Sequence, residues 1–235
     1  MDSLYIVMPA YNEEENIKDV VEQWYKVLEG KDEKSRLVIA DSGSKDKTHQ
    51  VLREMQKKYS KLEVLDTANQ YHGPKIIALY DYAIKNEIDY VFQTDSDGQT
   101  NPDEFSAFWE MRNEYEGIFG NRTVREDGNG RAFVEKVVCT LLKLYFGVKI
   151  PDANAPFRLM KCQTVKKYLS KMPTDYNLPN IMITTYFSFY GERITFREIS
   201  FKPRMAGTNS VNIPKIIKIG WKALGEFHNL KKEMK

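Results

Sequence analysis

The sequence predicts an α/β fold with a mainly parallel central sheet covered by helices on both faces. Three observations predict it. Short apolar runs recur through the first half of the chain, and each leads into turn-forming residues. Between them lie segments whose apolar residues return at three- and four-residue intervals, the spacing of one helix face. With 235 residues, 42% hydrophobic and 29% charged, the chain is long enough to bury one sizeable core. A βαβα order of this kind requires crossover helices between parallel strands.

Taken in order, the strands are read at residues 4–8, 36–40, 62–65 and 90–94, and the helices at 14–28, 48–59, 76–85 and 102–114. Asn101-Pro102-Asp103-Glu104 is a helix start, with Asn as the cap, Pro in the first position and Glu in the third. The fourth strand therefore stops near Thr94. What lies between sits at a strand's C-terminal edge, where open α/β sheets bind ligands. The second half is less regular. It reads as a strand at 117–120, a helix near 133–146, a loop around Asp152 and an edge strand at 193–201. Residues 1–212 form a single domain in this reading, followed by a basic amphipathic helix over 213–235. No internal repeat or Gly-, Pro- or Ser-rich linker interrupts the chain.

Composition removes several classes. Nine prolines and thirteen glycines are ordinary usage, which speaks against collagen-like and disordered scaffolds. Cys139 and Cys162 are too few for a disulfide framework or a four-cysteine zinc site, so a reduced compartment and two small buried side chains are expected. His49, His72 and His228 offer no ligand pair at helical spacing, against a zinc hydrolase. The longest uncharged stretch, 176–191, would span only about 24 Å as a helix and contains Pro179 and Asn180. It is too short and too polar to cross a membrane. The chain starts Met-Asp-Ser-Leu and enters an apolar strand directly, so no secretory signal is expected. The net charge is +2, unevenly spread: residues 202–235 hold eight Lys or Arg against two acids.

The sharpest chemical signal is Asp95-Ser96-Asp97 at the end of the fourth strand. Residues i and i+2 of an extended segment point to one side, so both carboxylates converge there. Like charges that close repel unless a cation neutralises them, and a hard divalent ion such as Mg²⁺ or Mn²⁺ takes such oxygens and shares them with phosphates. A diphosphate site is one reading and a solvated turn the other. An EF-hand fits less well, because Thr100 stands where that loop needs glycine. Other strand ends carry matching features. The first strand runs into Pro9-Ala10-Tyr11-Asn12-Glu13 and the second into Asp41-Ser42-Gly43-Ser44. Acidic residues at these ends offer acceptors to the donors of a base and a ribose, although Asp41 alone would equally suit a turn. The first strand lacks Gly-x-Gly-x-x-Gly and no Gly-Lys-Ser/Thr loop occurs, against dinucleotide cofactors and ATP hydrolysis.

Three segments in this order, 7–14 (Val-Met-Pro-Ala-Tyr-Asn-Glu-Glu), 39–46 (Ile-Ala-Asp-Ser-Gly-Ser-Lys-Asp) and 95–99 (Asp-Ser-Asp-Gly-Gln), resemble the family 2 glycosyltransferases of GT-A fold. The later stretches Gly120-Asn121-Arg122, Asp152 to Arg158 and Arg204 to Ser210 are similar to the dolichol-phosphate or polyprenyl-phosphate sugar transferase branch. The resemblance runs from about Leu4 to Ser210. It implies that Pro9, Tyr11, Glu13 and Asp41 hold the nucleoside, with Ser96 beside them. It also implies that Asp95, Asp97 and Gln99 hold a Mg²⁺ or Mn²⁺ ion and the diphosphate. Arg122, Arg131 and Arg204 would lie near donor or acceptor phosphates, where guanidinium forks suit phosphate oxygens; surface salt bridges are the alternative for each. Asp152 is the candidate acid on the acceptor side, or else a residue that orders its loop.

Four departures from the family pattern stand out. His72-Gly73-Pro74-Lys75 replaces Gly-Lys-Gly after the third strand, and Asn154-Ala155-Pro156-Phe157-Arg158 replaces Ser-Gly-Phe-Arg. Asn177 and Asn180 stand where an acid often faces the acceptor. The Gln-x-x-Arg-Trp motif of processive synthases is missing, so one sugar per turnover is expected. The resemblance thus implies a metal-dependent inverting transferase that moves one sugar from a nucleotide-diphospho-sugar to a polyprenyl phosphate or similar membrane-associated acceptor. Transfer to a saccharide hydroxyl in cell-surface polysaccharide or glycolipid assembly is the alternative. A non-catalytic sugar-nucleotide-binding protein is a third reading, which intact Asp41, Asp95 and Asp97 oppose. Nucleic-acid binding is not expected, because the bases cluster in one terminal segment without an aromatic-plus-basic RNA motif. Placed at 100° intervals, Ile213, Ile216, Ile217, Trp221, Leu224 and Phe227 fall within about 140° of arc, opposite Lys215, Lys218, Lys222 and Glu226. That helix either packs on the domain or lies at a membrane surface, which would make the protein cytoplasmic and peripheral at the inner face of the cell membrane.

Overall fold

The computed structural model describes residues 1–67, 71–125 and 129–203, together with Gly225, Phe227 and Lys231; the side chains of 124–131 lie outside that description. The elements follow as β1 (Leu4–Ala10), α1 (Ile17–Lys26), β2 (Arg36–Asp41), α2 (Thr48–Gln56), β3 (Leu62–Leu65), α3 (His72–Lys85), β4 (Tyr90–Thr94), α4 (Phe105–Glu110), β5 (Gly117–Arg125), α5 (Asn129–Phe146), β6 (Phe157–Lys161), α6 (Cys162–Leu169), α7 (Pro179–Phe189) and β7 (Ile194–Phe201). The four strands expected in the first half are present, β3 and β4 with the expected bounds.

Several bounds differ, each for a local reason. α3 begins at His72 rather than 76, because Pro74 falls in the first turn, where its missing N–H leaves no bond unmade. The helix expected over 102–114 is shorter. A 3₁₀ turn at Pro102–Glu104, capped by the Asn101 side chain accepting from the Asp103 N–H, opens it, and α4 ends at Glu110. The sequence reading lacked β6, α6 and α7. β6 carries Arg158 inside an apolar run, and α7 is buried from Pro179 through Phe187, so it has no polar face to mark a helical period.

The seven strands order as β3-β2-β1-β4-β6-β5-β7. β1, β2, β3 and β4 pair in parallel, β6 pairs antiparallel with both β4 and β5, and β7 runs parallel to β5. Only β6 therefore opposes the rest, and the sheet is mainly parallel, as expected. The chain moves outward from β1 to β2 and β3, then returns to β4 on the other side of β1. This reversal opens a crevice at the C-terminal ends of β1 and β4. Because β6 is reversed, the 152–156 loop that precedes it reaches the same edge.

Side-chain alternation along the strands builds a core on each face. Tyr5 and Val7 of β1 join the cluster under α3, α6 and α7, while Leu4, Ile6 and Met8 join the one under α1 and α4. In the second cluster Phe157 stacks edge-on to Phe92 and Phe108 with ring centroids 4.7 and 4.8 Å away, and Trp24 lies 5.3 Å from Phe92. Truncating such a ring costs about 3–5 kcal/mol. Cys162 is buried as expected, whereas Cys139 is only half-buried. Most of the predicted C-terminal helix lies outside the described residues. Gly225, Phe227 and Lys231 are helical, and Phe227 is buried with its ring 5.8 Å from that of Phe146.

Candidate active site

The crevice is built from strand ends that the sequence makes unable to continue. After Ala10, Asn12 takes a left-handed backbone (φ 55°), a conformation that asparagine tolerates, and the chain turns. The loop after β1 is stitched to the loop after β2. Asn12 N–H donates to Ser44 Oγ, Lys45 N–H to Asn12 Oδ1, Glu13 N–H to Thr48 Oγ1 and Lys47 N–H to Glu14 Oε2, all within 3.0 Å. Glu13 itself is buried and accepts from the Asn16 side chain. Fixed loops of this kind hold a binding surface in place before a ligand arrives.

Across the β1/β4 boundary, Ser96 Oγ donates to the Pro9 carbonyl at 2.9 Å. Lys75, fully buried in the first turn of α3, donates its Nζ to the Ala10 carbonyl at 2.6 Å and stands 5.4 Å from the Tyr11 ring. Burial lowers the Lys75 pKa and the nearby Asp41 carboxylate opposes that shift. The Asp41 side chain is 1% exposed. It accepts from Ser44 Oγ on one oxygen, and its other oxygen lies 3.3 Å from His49 Nδ1. Pro9, Tyr11, Glu13, Asp41, Ser96 and Lys75 are thus drawn to adjoining strand and helix ends.

Asp95 and Asp97 follow β4, each partly buried. A chain of buried polar groups backs Asp95. Tyr80 O–H donates to Gln93 Oε1 at 3.3 Å, and Gln93 Nε2 reaches Asp95 Oδ1 at 3.4 Å. Asp97 Oδ1 accepts the Gln99 N–H at 3.1 Å, beside Gly98 at φ 74°. Gln99 is buried, and its side-chain amide donates to the Lys202 carbonyl while Lys202 N–H returns to the Gln99 carbonyl. This exchange ties the acidic turn to the chain leaving β7. Among the described residues no three His, Cys, Asp or Glu side chains gather as a ready-made cation cage. Two carboxylates at a strand end fit a hard divalent ion that completes its shell with diphosphate oxygens and water.

A second group of charges sits at the same edge. Arg122 lies where β5 slips register against β7, between Asn121 and Val124. A bulge re-aims a side chain. Its guanidinium grips Asp152 in a two-bond fork, Nε to Oδ2 at 2.7 Å and Nη2 to Oδ1 at 2.8 Å, and lies 5.1 Å from the Phe201 ring. Arg122 and Asp152 are therefore brought together, and Asp152 also orders its own loop by accepting the Asn154 N–H. Glu135 of α5 adds a third charge, 3.5 Å from Arg122 Nη2. Beneath them Arg158 is fully buried and donates to the carbonyls of Ala153, Ala155 and Asn180. Burial lowers its pKa. The side chain of Arg131 and all of Arg204 lie outside the described residues.

Sequence reasoning assigned no role to Lys75, His49, Glu135 or Arg158. Two of them had a visible mark: Glu135 is an acid inside an apolar helical stretch, and Arg158 a base inside an apolar strand. Such charges remain buried only when partnered.

Similarity to known proteins agrees with this architecture. Over 231 residues the chain is 27% identical to the uncharacterized glycosyltransferase YkcC of Bacillus subtilis (strain 168), covering 94% of this chain and 67% of that protein. It is 30% identical over 171 residues to the dolichyl-phosphate beta-glucosyltransferase ALG5D of Trichomonas vaginalis, covering 65% of this chain and 51% of the relative. The chain thus spans about half to two thirds of the length of these curated relatives. Among solved structures, glucosyl-3-phosphoglycerate synthase from Mycobacterium tuberculosis, in complex with Mn²⁺ and UDP-glucose, superposes with a TM-score of 0.68 at 14% identity, over 98% of this chain and 79% of that one. That likeness establishes the GT-A fold. The model of the family described as "Glycosyl transferase family 2" matches residues 5–169, and the chain belongs to that family.

Proposed function

We propose that the protein is a metal-dependent inverting glycosyltransferase, moving one sugar from a nucleotide-diphospho-sugar to a polyprenyl phosphate or a similar membrane-associated acceptor at the cytoplasmic membrane face. One observation carries the reading: the nucleoside-side residues Pro9, Tyr11, Glu13 and Asp41 and the acidic turn Asp95-Ser96-Asp97 meet at the β1/β4 crevice, joined by the Ser96 to Pro9 bond. A family relative named as a dolichyl-phosphate glucosyltransferase supports the class of acceptor.

In this reading Tyr11 and Asp41 meet the base and ribose, and Lys75 keeps the strand end in shape beneath them. Asp95 and Asp97, with Gln99, would hold Mg²⁺ or Mn²⁺, which when bound supplies positive charge against the departing nucleoside diphosphate. The sugar's bond to the donor phosphate breaks as the acceptor oxygen bonds to the opposite face of the anomeric carbon. An ionised phosphate acceptor needs no base, whereas a hydroxyl acceptor requires one to take its proton, and Asp152 is the candidate for it. Arg122 offers a guanidinium to acceptor phosphate oxygens beside it.

A thermal-shift screen of UDP-, GDP- and dTDP-sugars with Mn²⁺ tests the donor site. One nucleotide at 100 times its dissociation constant should add about 2.7 kcal/mol of stability, and chelation should remove most of it. No shift with any of the three, in a folded protein, defeats the proposal.

A further inference from the structure

Glu135 is a half-buried carboxylate that the donor site does not use. It lies in the second turn of α5 with its side chain 15% exposed, and three groups converge on it. Its Oε1 accepts the Ala153 N–H at 2.9 Å and faces the Cys139 thiol at 3.5 Å. Its Oε2 stands 3.5 Å from Nη2 of Arg122, whose fork holds Asp152. Asp152 and Glu135, 4% and 15% exposed, thus face the same guanidinium, with the Arg158 guanidinium holding the Ala153 carbonyl on the same loop. Burial first and the Asp152 charge second raise the Glu135 pKa, and Arg122 opposes both. A second acid, half-buried beside the first, is costly, and an apolar residue would pack α5 against the loop without that cost.

We propose that Glu135 is a positioning residue of the acceptor side: it clamps the Asp152 loop through the Ala153 N–H and gives Arg122 a second anionic partner. Arg122 then stays in register when an acceptor engages Asp152 or draws on the guanidinium. This rests on reading Asp152 and Arg122 as the acceptor side, and the experiment separates the two.

Glu135→Gln keeps an oxygen for the Ala153 N–H and drops the charge, whereas Glu135→Ala drops both. Three quantities are measured: amide exchange at Ala153 by NMR, affinity for the nucleoside diphosphate selected by the thermal screen with Mn²⁺, and the pH profile of kcat with a short-chain polyprenyl phosphate. Glu135→Ala should speed Ala153 exchange at least about threefold, the loss of one net hydrogen bond. It should also lower kcat by about 10- to 100-fold through misplacement, with nucleotide affinity unchanged. Glu135→Gln should keep the exchange rate and move the acid limb of the profile to lower pH: with a negative charge beside Asp152 gone, the ionised Asp152 that holds Arg122 toward the acceptor phosphate persists to lower pH. A purely structural role leaves that limb in place. Unchanged Ala153 exchange in Glu135→Ala, an unmoved acid limb in Glu135→Gln, or nucleotide affinity falling in step with kcat overturns the proposal. Should wild type transfer no sugar to polyprenyl phosphate, the acceptor reading fails, and Ala153 exchange still decides the clamp. If Glu135→Ala does not fold, the Glu135→Gln profile decides it.

Discussion

Asp97 shows how the hydrogen bond of a carboxylate can be separated from its charge. Its Oδ1 accepts the Gln99 N–H, a bond that the Oδ1 of asparagine can also accept, so Asp97→Asn keeps that turn bond while it drops the charge. The lost charge is what the proposed metal would sense. Mn²⁺-dependent donor affinity should fall about 10- to 150-fold, the effect of about 1.5–3 kcal/mol for a charged contact, and calorimetry with and without chelator checks it. Affinity equal to wild type in the presence of Mn²⁺ would remove Asp97 from the ligand set. Glu135 makes the complementary point about pH. Its pKa is raised above the ordinary 4.5, chiefly by burial. A raised acid binds its proton more tightly in the folded state, so its contribution to stability is complete below about 4.5 and is lost as pH climbs through the folded value. Wild type should therefore lose stability relative to Glu135→Gln over that window, with a slope no steeper than about 1.4 kcal/mol per pH unit. Parallel stability curves in urea titrations across the window would sink this. The acids of Asp95-Ser96-Asp97 and Asp41 were legible because each follows an apolar run that must be a strand. The Arg122–Asp152 fork was not, since its partners are 30 residues apart and meet only after β5 and the reversed β6 have paired.

The same distinction holds for elements. β1 to β4 and their helices could be read because each helix shows one apolar stripe, as with Ile17, Val20, Val21 and Trp24 of α1. α7 hides for the opposite reason: wrapped by α3, α5 and α6, it needs no polar side, and its uncharged sequence reads equally as a strand or a loop. The packing of α3 on the approach to α7 also explains Gly73. A Cβ there would lie 2.3 Å from the Tyr176 carbonyl oxygen and 2.7 Å from that of Asn177, both backbone atoms that cannot swing aside. Gly73→Ala must therefore push the first turn of α3 away from the 176–177 segment. A stability loss of about 1–3 kcal/mol is expected from such overpacking, read as several degrees in the melting temperature. Lys75 rides on that same turn, so nucleotide affinity should weaken as well. A variant that melts and binds as wild type would show that the close approach is not needed.

For the molecule as a whole, the proposed lipid-phosphate acceptor requires the edge that carries the crevice to approach a lipid surface. No helix among the described residues is long and apolar enough to cross a membrane. The sequence places a net charge of +6 in residues 202–235, eight bases against two acids. Phe227, on the apolar arc of the predicted terminal helix, is buried against Phe146, so at that point the arc serves the domain core. A helix whose apolar side is partly spent on the domain has less of it to insert, and its lysines must then supply more of any attraction to a membrane. Lys215, Lys218 and Lys222 share the polar side of that helix by sequence, and each base near an anionic surface adds about 1 kcal/mol. Replacing all three by glutamine should therefore weaken binding to phosphatidylserine-containing vesicles by about 3 kcal/mol, roughly 150-fold, while the thermal stability stays put. Truncation after Asn212 is a poorer test, because it also removes Phe227 from the core. Wild-type binding should fall steeply between about 0.05 and 0.5 M salt, as screening of exposed charges requires. Equal sedimentation of the triple variant and wild type with anionic vesicles, or binding indifferent to salt, would separate this segment from any membrane role.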